Sequence, residues 1–296
     1  MSETHRASKV PIGATILVVV CGFLALLLLT LGRSVPPPPA LPSPNGYDGI
    51  QAAAKNLPTN QTLLSPDLAS IEELRAAVAL AQPAFEQANA ALKMDFRVPA
   101  VNQDENAALA ALSRSKSLGR AYVSAGLLAE KEGSLAEAAQ LHLKSVELGN
   151  KLHDGNMLAA LVGVSVEKRG LTALDRVVPQ LGAAESAVVA NTLLDAERTR
   201  EPWGTILATD ESAEFHDANI GLRIVYRVAP PRTAREKALA KYQDGLRHLR
   251  STMIATAARR YELDRGKPPG TTADLVPQYL PQLPLDPVSR LPLPLH

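Results

Sequence analysis

From Pro11 to Leu31 the chain carries no charged residue, and Ala14 to Leu29 is almost wholly apolar. At ~1.5 Å per residue, a helix of this length reaches roughly 30 Å, the hydrocarbon thickness of a bilayer. The pattern predicts one transmembrane anchor over 11–32. Downstream the pattern changes, and apolar residues recur at intervals of three and four, the spacing of one helix face. Leu68, Ile71, Leu74, Val78 and Ala81 form the first such stripe, behind a start signal at Ser65-Pro66-Asp67. Phe85, Ala88 and Leu92 continue it past Pro83, which is expected to kink or split the helix.

A second helix is predicted from Asp104 to Lys131, and a third runs toward Leu152 after capping-box spacing at Ser134 and Glu137. Only Glu132 and Gly133 lie between them, so the two should form an antiparallel hairpin. Asp154-Gly155-Asn156 opens another helix through Leu161, Val166 and Leu171 to Leu174. Ala184 to Arg200 reads as the next, closed by Glu201-Pro202-Trp203-Gly204, where the lone tryptophan should plug a helix junction. Pro230-Pro231 breaks the chain. Thr233 then caps a long helix to about Arg265, with Leu239, Tyr242, Leu246, Leu249, Met253, Ala257 and Tyr261 on one face.

Between anchor and helices, Val35 to Gly46 contains four consecutive prolines and cannot continue a helix. It reads as an extended spacer. The predicted organisation is a cytoplasmic N-terminus over 1–10, an anchor over 11–32, a Pro-rich linker over 33–64, a helical domain over 65–230, and a long helix with a C-terminal tail over 231–296. The fold class is mainly α: a single N-terminal transmembrane helix, a Pro-rich linker, and a helical-hairpin bundle with a short irregular or β C-terminal tail.

Charge orients the anchor. Arg6 and Lys9 precede it, whereas Arg33 is the only charge between it and Asp48. Positive residues favour the cytoplasmic side, so the N-terminus is expected inside and the body outside. A cleaved signal peptide would carry a shorter apolar stretch of ~7–15 residues and a small-x-small cleavage site. Here Gly32-Arg33-Ser34-Val35 and the prolines follow instead, which favours an uncleaved signal anchor.

Composition narrows the function. Basic and acidic residues number 31 and 30, so the chain as a whole implies no nucleic acid or other polyanion. The only cysteine, Cys21, lies in the anchor, and the body must fold without an internal disulfide. Aromatic residues make up 4 %, which suits packed helices better than strands. From Arg232 to His296 there are eleven basic and six acidic residues. Their expected place is a solvated outer face, with contact to anionic lipid as the weaker option.

Candidate chemistry is sparse. The six histidines, at 5, 142, 153, 216, 248 and 296, show no metal-ligand spacing. Neither a nucleophile elbow nor a phosphate-binding glycine loop occurs. The densest polar cluster is Asp210, Glu211, Ser212, Glu214, His216 and Asp217. Carboxylates beside an imidazole can hold a metal or move a proton, but a solvated loop or helix start is the expected role. No catalytic, cofactor-binding or metal-binding residue is assigned.

Three segments carry resemblances. Leu118-Gly119, Tyr122, Gly126 and Gly133 to Ala139 resemble one tetratricopeptide unit, with no second copy at the ~34-residue period such arrays require. Lys267-Pro268-Pro269, the run Thr271 to Leu280, and Leu285-Asp286-Pro287 after the long helix resemble the C-terminal segment of the type II secretion major pseudopilin. In that family the long helix starts in the membrane, whereas here the anchor lies about two hundred residues upstream. The same tail, and Asn156 to Leu174 with its Leu161-Val162-Gly163-Val164, resemble uncharacterised single-pass envelope proteins of planctomycete and verrucomicrobial bacteria. These likenesses imply a helical envelope protein and bring no activity with them.

The expected function is therefore a membrane-anchored, extracytoplasmic, non-catalytic interaction or scaffold protein of the cell envelope. An accessory role in a type II secretion or pilus-like system is the alternative. A metal-dependent enzyme using the 210–217 cluster is the third reading. The expected partners are the lipid bilayer, through residues 11–31, and an unknown envelope protein, with no nucleic acid and no evident small-molecule substrate.

Overall fold

The computed structural model describes residues 21–23, 35–58, 61–66, 69–100, 105–216, 218 and 232–295. The predicted anchor at 11–31 lies outside them except for 21–23. Among the described residues no helix is long and apolar enough to cross a membrane. The architecture is mainly helical, with α1 Gly46–Lys55, α2 Gln61–Leu64, α3 Ile71–Leu92, α4 Glu105–Lys131, α5 Leu135–Lys151, α6 Met157–Val177, α7 Ala183–Thr199, α8 Trp203–Phe215 and α9 Arg232–Arg265. Short 3-10 turns follow at Val178–Gln180 and Thr272–Leu275.

The linker predicted over 33–64 is shorter than expected, because α1 and α2 fall inside it. Asn45 caps α1: its Oδ1 accepts from the Tyr47 amide at 3.1 Å. Ile50 and Ala53 are buried, and a Cβ added to Gly49 would sit 2.7 Å from Ala91 Cβ on α3. That close approach carries α1 into the core and overrides the proline-rich context before it.

The start of α3 also differs from expectation. The signal at Ser65-Pro66 is bypassed for a reciprocal capping box, in which Ser70 Oγ accepts from the Glu73 amide at 3.2 Å and Glu73 Oε2 from the Ser70 amide at 2.9 Å. Two orphan donors are satisfied at once there. Pro83 does not split the helix. It removes one ladder bond, but Ala81, Ala84, Phe85 and Ala88 around it are all buried, and their packing holds the helix through the gap.

The hairpin of α4 and α5 forms as predicted, with different turn chemistry. The Ser134 side chain makes no cap bond. Instead Gly133 takes φ +79°, its amide donates to Glu130 O at 3.1 Å, and the Ser134 amide donates to Ala129 O at 2.8 Å. These are the two bonds of a Schellman close, and they commit the Ser134 backbone to ending α4. Leu118 and Tyr122 are fully buried, and Tyr122 stacks on Phe85 at 4.8 Å. Asn156 opens α6 through an Oδ1 bond from the Ala159 amide, 2.9 Å.

Two large apolar clusters form most of the interior. One joins α1, α3 and α4 with the facing sides of α5 and α6. The other joins the rest of α5 and α6 to α7, α9 and the tail. A small third one joins Ala160 and Val164 of α6 to Ile206 of α8 and Tyr242 of α9. The long helix is therefore not a separate unit from residues 65–230: Leu249, Met253, Ile254 and Ala257 share a cluster with Leu171, Leu174 and Leu193. Gly266, at φ +68°, ends α9 with its amide donating to Glu262 O at 2.8 Å.

The tail folds back as its prolines imply. Leu275, Tyr279 and Leu280 are buried in the second cluster. Among the described residues its β character is one isolated antiparallel bridge between Leu285 and Pro292. Asp286 holds the turn: Oδ1 accepts from the Val288 and Ser289 amides at 2.8 and 2.7 Å, and Oδ2 accepts from Arg247 Nε of α9 at 2.6 Å.

Candidate functional site

Four segments meet at one buried charged cluster. Glu167 comes from α6, Arg200 from the C-cap of α7, His153 from the turn after α5, and Tyr242 from α9. Small residues let the backbones come this close. A Cβ on Gly163 would lie 2.5 Å from Gly149 O and 2.8 Å from His153 Cδ2. On Gly245 it would lie 3.3 Å from Arg200 Nη2.

Arg200 Nη1 donates to both Glu167 carboxylate oxygens at 2.8 Å. Both side chains are almost fully withdrawn from solvent, at 3 % and 0 % exposure. Burial pushes the Glu167 carboxyl up and the adjacent guanidinium pulls it back, while that carboxylate holds Arg200 charged. The guanidinium carbon sits 4.7 Å from the Tyr242 ring centroid, so the ring face covers a cation whose Nε and Nη2 have no hydrogen-bond partner. Tyr242 Oη donates to Glu201 O at 2.5 Å, and Trp203 covers the same ring at 5.4 Å. The tryptophan thus sits at a helix junction, as the sequence implies.

His153 completes the cluster. Both its ring nitrogens are buried without a hydrogen-bond partner, and its ring lies edge-on to Tyr242 at 5.7 Å. Burial, reinforced by Arg200, holds its pKa well below the ordinary histidine value, so the ring is neutral. Drawn from four segments and withdrawn from solvent, the cluster has the geometry of a keystone joining helices.

Beside the keystone, α5 and α7 bound an open groove of about 800 Å³, whose walls include Phe96, Lys144, Asn150, Asp154, Val188 and Glu201. Lys144 pairs with Glu147 at 2.8 Å, and Arg97 pairs with Asp154 at 3.2 Å. Asn150 Nδ2 donates to Thr199 Oγ1 at 2.8 Å, leaving its buried Oδ1 without a partner. Burial raises the Asp154 carboxyl, Arg97 opposes that, and Glu201 adds to it. Val188, 49 % exposed, gives one rim an apolar contact point.

The 210–217 cluster is not the loop or helix start expected of it, because residues 203–215 form α8. Its buried residues, Ile206, Ser212 and Phe215, do not make the regular stripe that would have announced a helix. Asp210 Oδ1 accepts from the Met157 amide at 3.1 Å, capping α6, and Glu211 accepts from Arg235 at 3.1 Å. His216 Nδ1 bonds Val35 O at 3.0 Å. Asp217 lies outside the described residues. These groups point to separate neighbours, and among the described residues no group of three His, Cys, Asp or Glu side chains is arranged to hold a metal ion.

His142 lies on α5, facing α4. It is fully buried in the hairpin, with Nε2 2.7 Å from Glu130 Oε1 and its ring over Gly126. Arg176 joins the same Glu130 oxygen at 3.1 Å. His153, just past the end of α5, is equally buried. Gly126 and Gly163 are the signals that each ring needs a side-chain-free backbone beside it.

Comparison with protein-family models, with curated proteins and with solved structures finds no match to the chain.

Proposed function

We propose that this chain is a single-pass protein of the bacterial inner membrane, with its N-terminus inside. Its helical body stands outside the cytoplasm and holds a partner protein without catalysing a reaction. The observation that carries this reading is the contrast between the two central features. The Glu167–Arg200–His153–Tyr242 cluster is buried and joins helices, while the groove beside it is open and edged by polar and apolar groups. A rigid helical frame beside an open groove suits recognition of a protein segment. The uncharged run at 11–31, the positive N-terminal flank and the hairpin resembling a tetratricopeptide unit support the same reading.

Site-directed photo-crosslinking in cells tests it. A crosslinker at Val188, on the groove rim, is expected to give a discrete protein adduct that the same group at Leu80, 66 % exposed on α3, does not give. Equal labelling at both positions, or none at either, removes the interaction reading. Adducts dominated by secretion-machine subunits would favour the accessory secretion role, which rests on the pseudopilin-like tail. Protease added to spheroplasts should digest the body, and full protection reverses the orientation.

A further inference from the structure

We propose that the edge formed by the C-terminal end of α8 and the first turns of α9 lies against the headgroup layer of the bilayer. This rests on the reading of 11–31 as a membrane anchor and adds which face of the body meets the lipid.

The argument begins with chain length. The apolar run ends at Leu31, four residues before Val35. At no more than ~3.6 Å per residue, Val35 stands within roughly 14 Å of the end of that run. Val35 is also where the chain is fastened to the body, since its carbonyl accepts from the His216 ring at the C-cap of α8, 3.0 Å.

The proline segment after it does not lead away from the body. Val35, Pro38 and Pro42 are each half-buried. Its far end is locked at Asn45, whose Nδ2 donates to Arg97 O at 2.8 Å and whose Oδ1 accepts from the Arg97 amide at 3.0 Å. A spacer free at its membrane end would place the body anywhere within its reach. One clasped to α8 at its first residue leaves only Gly32, Arg33 and Ser34 between anchor and body.

The surface at that point suits lipid. Arg235 on α9 donates to Glu211 on α8 at 3.1 and 3.2 Å, so the two helix ends move together. Arg232, Lys237 and Lys241 are exposed on the first turns of α9, with Glu236 as the acid among them. On the α8 side Glu214 is exposed, with its pKa held up by partial burial and by Asp210, while Asp210 and Glu211 are half-buried. The three exposed cations outnumber the two exposed acids, Glu214 and Glu236, by one, and a positive balance beside an anchor favours anionic headgroups.

The test uses the full chain in vesicles of phosphatidylcholine and phosphatidylglycerol carrying a headgroup quencher. With Cys21→Ala as background, single fluorophores are placed at Lys237→Cys, Leu263→Cys and Leu80→Cys. Positions 237 and 263 are separated by about 39 Å of helix, so quenching at 237 is expected to exceed that at 263 by at least about twofold. It should exceed that at 80 as well. Flotation separates the two ways of failing. A chain that stays in the aqueous fraction overturns the anchor reading and this inference with it. A chain that floats but shows no excess quenching at 237 overturns the inference alone. His216→Ala, checked for unchanged helical circular dichroism, should leave flotation intact and lower the quenching at 237. Unchanged quenching in that variant overturns the clasp as the cause.

Discussion

Glu167 and Arg200, thirty-three residues apart in sequence, meet with both carboxylate oxygens 2.8 Å from one guanidinium nitrogen, and both side chains are buried. The consequence for stability is asymmetric. Removing one partner leaves the other charge buried and unpaired, at a cost of about 3–5 kcal/mol. Arg200→Met and Glu167→Met should each show that loss in urea unfolding of the purified chain. The double variant should recover much of it, because two apolar side chains of similar size replace two charges. A double variant no more stable than the worse single one contradicts this account.

His153 gives stability a pH dependence of known sign. Its folded pKa lies well below the ordinary value, so on acidification the unfolded chain takes up a proton that the fold does not. Stability should therefore fall as pH drops below about 6.5, by up to ~1.4 kcal/mol per pH unit for this one group. The charged and titratable neighbours facing it are Glu167, Arg200 and Tyr242. Unfolding free energies measured between pH 5 and 7 should show a steeper slope for the natural chain than for His153→Phe. Equal slopes would mean the ring is protonated in the fold.

Two glycines should respond oppositely to alanine. A Cβ at Gly149 would lie 2.5 Å from Glu167 N and 2.6 Å from Gly163 O, and backbone cannot swing aside as a side chain does. Gly149→Ala should cost about 1–3 kcal/mol or more through overpacking. Gly204, in α8, has nothing within 4 Å of its added Cβ, so Gly204→Ala should be neutral or stabilising by up to ~1 kcal/mol. Thermal melts of the two variants check both signs.

Asp286 organises the tail turn. Its carboxyl is held well below the usual range, first by Arg247 and then by the Ser289 and Val288 amides. A carboxyl with a depressed pKa stabilises the fold above its unfolded pKa, and that contribution is lost as pH falls through the folded value. Asp286→Ala should therefore speed hydrogen exchange of the Val288 and Ser289 amides at neutral pH while leaving the amides of α4 and α5 unchanged.

Much of the architecture can be read from the sequence, and the failures share a cause. The helices from Glu105 to Thr199, and Arg232–Arg265, follow a sustained apolar spacing and end near their predicted boundaries. Gly46–Lys55 escapes such reading because two glycines open it and prolines precede it. What makes it a helix is its contact with Ala91, forty-odd residues away. Trp203–Phe215 escapes because its apolar residues share no single face. The keystone is less legible still. Nothing near Glu167 in sequence announces Arg200, and the polar cluster that stands out locally, 210–217, is divided by the fold among Met157, Arg235 and Val35.

The tail sets an order of events in the life of the chain. Leu275, Tyr279, Leu280 and Leu293 complete the cluster that α6, α7 and α9 leave open, and Thr272 Oγ1 donates to Leu293 O at 3.0 Å. A ribosome therefore delivers all of α6, α7 and α9 before the residues that cover them. Until Leu293 has left the ribosome and, in an exported body, crossed the membrane, the cluster it shares with Leu171, Leu174 and Leu193 is incomplete. Synthesis that stops after Gly266 would release a chain with every long helix in place and that surface still open, a substrate for chaperones and proteases.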